Sequence, residues 1–523
     1  MKRIISMLLA AMLMLGVLAG CGGSGDDDGS QATLVWAMPF YEQKDTAKVT
    51  AEVNKLLAEK LPNTKLEFML DSSYGSKWSL WMAGDTQIDI ANVGTSVDTL
   101  SEIEKDSFYE LDDLIEEYAP SIAKEKEKYS IQYATGIVNG KQYAIPNVQI
   151  YINDTAVLCI PESLISYMDT KAMVEAAYKS STTTEKMYQL VDDYLHAAKA
   201  SGKADSDSVA PLIGIESMFN TFARRGFAFV GNGGSSTNQI NVCYRVFADK
   251  VEMIDFYETD EFKMFIKWAR KWYEEGFIST DILSGDQGYG NRSPIISSYV
   301  WDMNLRDENE MYLKAGATEG SGVYWLSIQS NEQKYISDTA VGSLHTYNVI
   351  PCTSKHPERA MKLLELLRTE EGADILNMIC YGIEGTHYEK LSDTEIKAFE
   401  YEQQGTSASS YGIPNWMVGT HLNMYVISPY TEETRTRALD YYENVQPKFY
   451  KTPTYGMSFD TSAVSNYYSQ INSVLSEYQV QLYSGAIADY ETKYAEACTK
   501  MKAAGIDKVL EELQKQVDEF VSK

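Results

Sequence analysis

Histidine and cysteine are both scarce in this chain, with 5 and 6 copies among 523 residues. So few histidines leave little material for histidine-based catalysis or a histidine-rich metal centre. Cys159, Cys243, Cys352, Cys380 and Cys498 form no Cys-x-x-Cys pair, and with Cys21 set aside their number is odd. Neither a zinc site nor a complete disulfide framework is implied, and buried free thiols are expected. Positive charge is also short: 46 basic residues face 74 acidic ones, a net charge of −28. That balance excludes a nucleic-acid-binding surface and electrostatic adhesion to anionic lipid. Gly-x-Ser-x-Gly, His-Glu-x-x-His and a catalytic Ser-x-x-Lys context are missing, so no enzyme is expected. A glycosidase carboxylate pair, being a separation in space, stays open at this level. The glycine-rich 231–238 segment, GNGGSSTN, lacks the ending of a phosphate loop and the spacing of a dinucleotide fingerprint.

What the chain does have is length and apolar content. At 44% hydrophobic residues it is too apolar for disorder and too long for one core, so two or more lobes are expected. Its 37 tyrosines, 8 tryptophans and 16 phenylalanines supply rings for a core and for ligands. Lys2 and Arg3 precede an apolar run, Ile4 to Leu18, which is too short to span about 30 Å of hydrocarbon. With Leu18-Ala19-Gly20-Cys21 it reads as a secretory signal over residues 1–20. The cut site resembles the bacterial lipobox, which implies that the Cys21 thiol carries lipid and anchors the chain to a membrane. Residues 21–32, including GGSGDDDGS, read as a flexible tether. Asp26–Asp28 lacks the spaced ligands of a calcium loop, and no metal or cofactor is expected.

Beyond the tether, Thr33–Trp36 reads as a strand broken by Pro39-Phe40. Val49, Val53, Leu56, Leu57 and Leu61 recur at helical spacing and predict a helix over 43–60. Leu66, Phe68 and Leu70 alternate as a strand, followed by a helix over Lys77–Ala83, a Gly84-Asp85 turn and a strand over Asp89–Val93. Strand–helix–strand–helix–strand is the grammar of a layered α/β domain with a largely parallel sheet. Further helices are expected over Phe262–Glu275, with Trp268 and Trp272 in its core face, after Pro357, and over Asp507–Val521.

The order of these segments resembles the bacterial extracellular solute-binding lipoproteins of ABC importers, family 1, carbohydrate type. The resemblance rests on SSYGSKWSLWMAGDTQIDIANV (72–93), LDDLIEEYAPSI (111–122), NGKQYAIP (139–146) and PCTSKHPERAMKLLELLRTEEG (351–372). YGIEGTHYEKL (381–391), YGMSFDTSAV (455–464) and AGIDKVLEELQKQVDEF (504–520) narrow it to large Gram-positive lipoproteins with an extra C-terminal region. The resemblance implies an α/β, type II two-lobe fold with hinge strands and a cleft. Lobe 1 is then 33–147 plus 348–395, and lobe 2 is 148–347 plus 396–523 with a C-terminal helical extension. It further implies a monomeric, lipid-anchored receptor on the outer face of the plasma membrane. Such a receptor captures an oligosaccharide by hinge closure and delivers it to permease subunits. A peptide receptor is the first alternative, with a surface glycan-binding protein or a glycosidase behind it.

A sugar pairs flat C–H faces with a rim of hydroxyls, so its site needs aromatic platforms beside polar acceptors and donors. Aromatics at strand ends and loops are the candidates. Trp36 ends the first strand, Tyr74 and Trp78 precede the 77–83 helix, and Asn92 and Thr95 close the Asp-Ile strand where ligands of open α/β sheets lie. Tyr151 and Tyr347 lie at the two interlobe crossings. Trp301-Asp302 pairs a platform with an acceptor. Trp416 lies in NWMVGTH, where the family often reads Trp-x-x-Gly-Asn-Gln; Thr420 and His421 replace the amides. Glu384 and His387 are expected to fix a turn. A polyanionic sugar would require Arg224, Arg225, Arg245 or Arg292 in the cleft.

Overall fold

The computed structural model describes residues 29–522, apart chiefly from 150–156, 203–217, 231–240, most of 279–311, 316–322, most of 329–345 and 400–409. Cys21, Tyr151, Trp301, Asp302 and Arg292 therefore lie outside the described residues. The chain divides into two compact units, each assembled from separate stretches. The first is Met1–Val148, His345–Tyr388 and Phe399–Met424; the second is Gln149–Leu344, Glu389–Ala398 and Tyr425–Lys523. Compared with the expected lobes, 148, 345–347 and 399–424 group with the first unit and 389–395 with the second.

The first unit is built on a five-stranded sheet. Its strands are β1 (Ala32–Met38), β2 (Thr64–Leu70), β3 (Ile90–Val93), β4 (Ile145–Pro146) and β5 (Tyr347–Val349), in the order β2-β1-β3-β5-β4. β1 runs parallel to β2 over its whole length, Ala32 opposite Thr64 and Met38 opposite Leu70, and parallel to β3. β5 returns antiparallel to both β3 and β4. The crossover helix α1 (Thr46–Lys60) buries Val49, Val53 and Leu57 on one stripe, as its spacing predicts. The second crossover, α2 (Tyr74–Ala83), starts three residues earlier than expected. At Gly75 an added Cβ would lie 2.4 Å from the carbonyl oxygen of Ser96, so only glycine lets α2 approach the loop after β3 this closely.

The Asp of the Asp-Ile strand has a structural task. Asp89 is fully buried. One carboxylate oxygen accepts from the Val35 amide at 2.9 Å and the Gln87 side-chain amide at 2.8 Å. The other accepts from the Ser354 hydroxyl at 2.8 Å, the Lys355 amide at 2.9 Å and the His356 amide at 3.2 Å. These bonds fasten β1 to the start of the helix Pro357–Leu366, and a buried carboxylate is stable only with such a set of donors.

The second unit is held by aromatic packing. Helices α3 (Glu185–Ala200) and α4 (Asp260–Glu274) pack with a three-helix C-terminal group, α5 (Ser465–Ser484), α6 (Tyr490–Ala503) and α7 (Ile506–Val521). Two three-stranded antiparallel sheets lie in it: Phe227–Phe229 with Val242–Arg245 and Ile254–Asp255, and Val157–Pro161 with Val323–Ser327 and Tyr312–Ala315. Tyr483 of α5 stacks on Phe219 at 4.3 Å and meets Phe262 and Phe265 edge-on. Its hydroxyl lies 3.0 Å from that of Tyr257 and accepts from Asn241 at 3.2 Å. Gly485, at φ +67°, closes α5 with the position of a missing Cβ 2.4 Å from the Ala269 backbone of α4. Met457, Leu475, Leu482, Val509, Leu513 and Val517 belong to the same continuous core as Phe219 and Trp272. Trp268 and Trp272 are buried in that core, as read from the sequence. Among the described residues, no helix is long and apolar enough to cross a membrane.

Candidate functional site

Three asparagines of the first unit lie side by side across its sheet. Asn92 on β3 is the register partner of Asn348 on β5, and Asn147 directly follows β4. All three are fully buried, where an amide must find partners. Their partners converge on one turn, the 3₁₀ helix Asn415–Met417. Asn147 donates to the Trp416 carbonyl at 3.0 Å, and the Thr346 hydroxyl donates to the same oxygen. Asn92 donates to the Met417 carbonyl at 3.0 Å and to the Tyr347 carbonyl at 3.2 Å. Asn348 reaches the Met417 and Val418 carbonyls at 3.3 and 3.1 Å and the Asn147 oxygen at 2.8 Å. The Trp36 indole N–H completes the set by donating to the Asn348 oxygen at 3.2 Å. The Trp416 side chain, carried by this turn, is half-buried.

Four residues chosen as solute contacts are thus brought together, but in different roles. Trp36, Asn92 and Tyr347 are enclosed, with the Asn92 amide on backbone and the Trp36 indole on the Asn348 side chain; only Trp416 keeps exposed surface. β1 continues to Met38, so Trp36 lies within a central strand of the sheet and not at its end, and its ring packs beside Phe68 at 6.3 Å instead of facing solvent. Tyr74 and Trp78 are likewise enclosed, because α2 begins at Tyr74 and turns both inward. They lie 5.7 Å apart, and the Trp78 indole donates to buried Glu102 at 2.8 Å. Burial without a partner drives the Tyr74 phenol far above its ordinary value. Thr95 is exposed beyond the end of β3, as expected.

One feature of this edge was missed. Just past the end of β1, Phe40 and Tyr41 stack with ring centroids 4.5 Å apart, and Tyr41 is 58% exposed. Beyond β2, Asp71 accepts from the Lys77 ammonium at 2.5 Å, and that bond with the Ser73 amide holds its carboxyl below the usual range. The C-terminal ends of the three parallel strands therefore carry an aromatic ring, a carboxylate and a hydroxyl. The signal in the sequence was two aromatics directly after the strand-breaking Pro39.

His387 does fix a turn. Its Nδ1 accepts from the Ile383 amide at 2.8 Å, so the ring proton sits on Nε2, which faces Asp45 at 3.3 Å. Asp45 also accepts from the Ser410 hydroxyl at 2.9 Å, the main cause of its lowered pKa. Burial outweighs Asp45 and pushes the His387 pKa down. In the second unit, Arg225 is buried and donates to the carbonyls of Ile328, Ala177 and Ser180. Arg245 forms a double bond set with Glu261 at 2.7 and 2.9 Å, and Arg224 lies over the Phe229 ring. Among the described residues, Asp192, His196 and Glu275 lie close enough to share a cation. Asp192, however, already accepts from the Lys271 ammonium and the Trp272 indole.

Comparison with known proteins follows from this architecture. A family model described as a domain of unknown function, DUF3502, matches residues 453–522. A carbohydrate ABC transporter substrate-binding protein of Streptococcus pneumoniae serotype 4 is 23% identical over 520 residues, 98% of this chain and 96% of that protein. The crystal structure of an N-glycan transport solute binding protein, NgtS, from Streptococcus pneumoniae is similar with a TM-score of 0.68 at 19% identity. The match covers 94% of this chain and 99% of that one. The same protein in complex with Man1GlcNAc gives 0.65 at 19% identity, covering 94% and 100%. The chain has the solute-binding-protein fold. An HMO-binding, ABC-transporter-associated solute binding protein from Bifidobacterium longum infantis shares it at a TM-score of 0.57 and 12% identity, covering 94% and 100%. In the solute-binding fold of this chain, the DUF3502 match spans the end of the second unit, including α5, α6 and α7.

Proposed function

We propose that this chain is the extracellular solute-binding component of an ABC importer, capturing an oligosaccharide and delivering it to a membrane permease. The observation that carries the reading is a likeness along the whole chain. The relative that aligns over 520 residues is named for carbohydrate ABC transport, and the solved neighbour spanning 94% of this chain is named for N-glycan transport. Tyr41, Thr95 and Trp416 are the described side chains offered to the sugar; Trp36, Asn92 and Tyr347 support them from within the sheet. Capture needs no covalent chemistry and no catalytic residue. A solute that binds the closed arrangement more tightly shifts the population toward it, and the importer reads that shift. The chain works as a monomer held by lipid on Cys21 at the outer face of the membrane.

Thermal unfolding of the soluble fragment starting at Gly22, against a panel of glycans and peptides, tests the reading. Ligand that binds only the folded state adds about 2.7 kcal/mol at a hundredfold excess over Kd. A rise with one group of glycans, with no cleaved product by mass spectrometry, is expected. A rise with peptides alone sinks the sugar assignment and keeps transport. Cleaved glycan overturns the non-enzymatic reading.

A further inference from the structure

The buried amides beneath Trp416 do what an apolar core of the same shape could not. Asn92, Asn147, Asn348 and the Thr346 hydroxyl are all removed from water, and Asn92 Oδ1 has no hydrogen-bond partner. An apolar cluster of the same volume would leave the Met417 and Val418 carbonyls without these donors, at the desolvation cost of each buried group left unpaired. What amides do better than methyl groups is fix a backbone in place. Here they take three consecutive carbonyls, those of Trp416, Met417 and Val418. A loop so held cannot swing its backbone, and with it the point from which each side chain projects, without breaking several buried hydrogen bonds.

The residues that hold the turn are also set at the ends of the first unit. Asn147 lies one residue before Val148, where the chain leaves that unit, and Thr346 one residue after His345, where it returns. The two are bonded to each other, the Asn147 amide to the Thr346 carbonyl at 3.0 Å and the Asn147 side chain to the Thr346 hydroxyl at 3.2 Å. The far end of the segment is fastened to the same place, with the His421 amide donating to the Val148 carbonyl at 2.9 Å.

We infer that Asn147, Thr346 and Asn348 are positioning residues for solute recognition: they hold the Trp416 turn to both crossing strands, so that its indole is a preformed platform for a pyranose face. The inference rests on the proposed receptor function and assigns the residues behind its specificity. A sugar stacking on Trp416 meets a ring whose backbone is already ordered, which removes an ordering cost from binding. The same bonds make any displacement of the turn a displacement of the crossing strands.

Paired substitutions in the soluble full-length chain test it, with glycan affinity by calorimetry and thermal unfolding without ligand as separate readouts. Trp416→Ala is expected to weaken glycan binding at least about tenfold, the loss of one aromatic platform. Thr346→Val keeps the shape and removes the hydroxyl; it is expected to weaken binding roughly fivefold, mainly through faster dissociation. Thr346→Ser restores the hydroxyl and is expected to bind within about twofold of the wild type. The unliganded melting temperature is expected to fall in Thr346→Val, which loses two buried hydrogen bonds, and to stay near the parent in Thr346→Ser. Affinities are therefore compared well below both melting temperatures, where a purely structural role would leave them unsplit. Wild-type affinity in Thr346→Val and Trp416→Ala, with the parent binding glycan, overturns the inference alone. A parent that binds no glycan overturns the receptor reading, and this inference with it.

Discussion

The two units solve the same packing problem with different materials. The first joins its stretches through buried polar groups: Asp89 between β1 and the Pro357–Leu366 helix, three asparagines between the sheet and the Trp416 turn, and Arg368 between Glu125 and the Pro146 carbonyl. The second joins its stretches through rings, with Tyr483 from the C-terminal helices set among Phe219, Phe262 and Phe265. Hydrogen bonds are directional and fix a backbone in one place; aromatic packing is worth more free energy for each residue and tolerates small shifts. The unit built on direction carries the described solute-contact candidates. The unit built on area incorporates the segment that the family model of unknown function matches, and the continuity of its core makes that segment part of the unit, not a module beside it.

The largest test of this contrast is Tyr483→Ala. Removing a buried aromatic costs about 3–5 kcal/mol. The loss is expected in the second unit alone, seen in calorimetry as an early transition that splits from the transition of the first unit. One transition moving as a whole would mean that the units do not melt separately.

The contrast sharpens with pH, because the two units are expected to lose stability in opposite directions. Burial among Glu258 and Asp507 raises the Asp255 carboxyl to about 7, against an ordinary value of 3.8, although the Tyr257 amide and Lys502 pull it down. The folded second unit therefore holds a proton that the unfolded chain releases. Its extra stability is full below about pH 4 and is lost as the pH rises toward 7, by at most about 1.4 kcal/mol for each pH unit. Asp255→Asn keeps a cap for Tyr257 and is expected to flatten this slope. His387 works the other way. Its pKa lies below the ordinary 6.5, lowered by burial against the opposing pull of Asp45, so the folded first unit resists protonation. Protonating Nδ1 also ends its bond from the Ile383 amide. Stability of the first unit is then full above pH 6.5 and declines as the pH falls through and below that value. Denaturant melts at a series of pH values, with His387→Gln as the comparison, read both slopes; slopes of the same sign would remove the contrast.

The smallest effect on stability, and the most specific on function, is expected at Tyr41. Its ring is 58% exposed, so Tyr41→Ala should change unfolding free energy by less than about 0.5 kcal/mol. Glycan affinity should fall roughly three- to tenfold, the worth of one exposed stacking ring. Unchanged affinity would confine recognition in the first unit to the Trp416 side.

Much of the architecture was legible because it is periodic. The stripe of Val49, Val53 and Leu57 and the strands on either side of it gave the parallel half of the first sheet, and the four-residue spacing of Trp268 and Trp272 gave a core helix. The start of α2 was not legible, since Gly75 reads as a breaker unless one knows that the Ser96 carbonyl lies against it. The site was harder still. Asn92 and Trp36 were expected at strand ends and Tyr347 in the return crossing; β1 runs two residues past Trp36, and a sequence does not tell an amide aimed at solvent from one aimed at a neighbouring carbonyl. The grouping of 399–424 with the first unit was no more legible, because bonds that tie it there join residues as far as 369 positions apart.

The interleaving of the two units has a consequence for how the protein is made. The sheet of the first unit is short of β5 and of the turn that its asparagines hold until residue 424 has been synthesised, and the second unit lacks α7 until the last residues. At roughly 5–20 residues per second, the N-terminal 148 residues wait on the order of half a minute for their partners. During that time β1, β2 and α1 have no complete unit to join. A chain so arranged stays incomplete until it is almost finished, the state in which an unfolded polypeptide can still be threaded across a membrane.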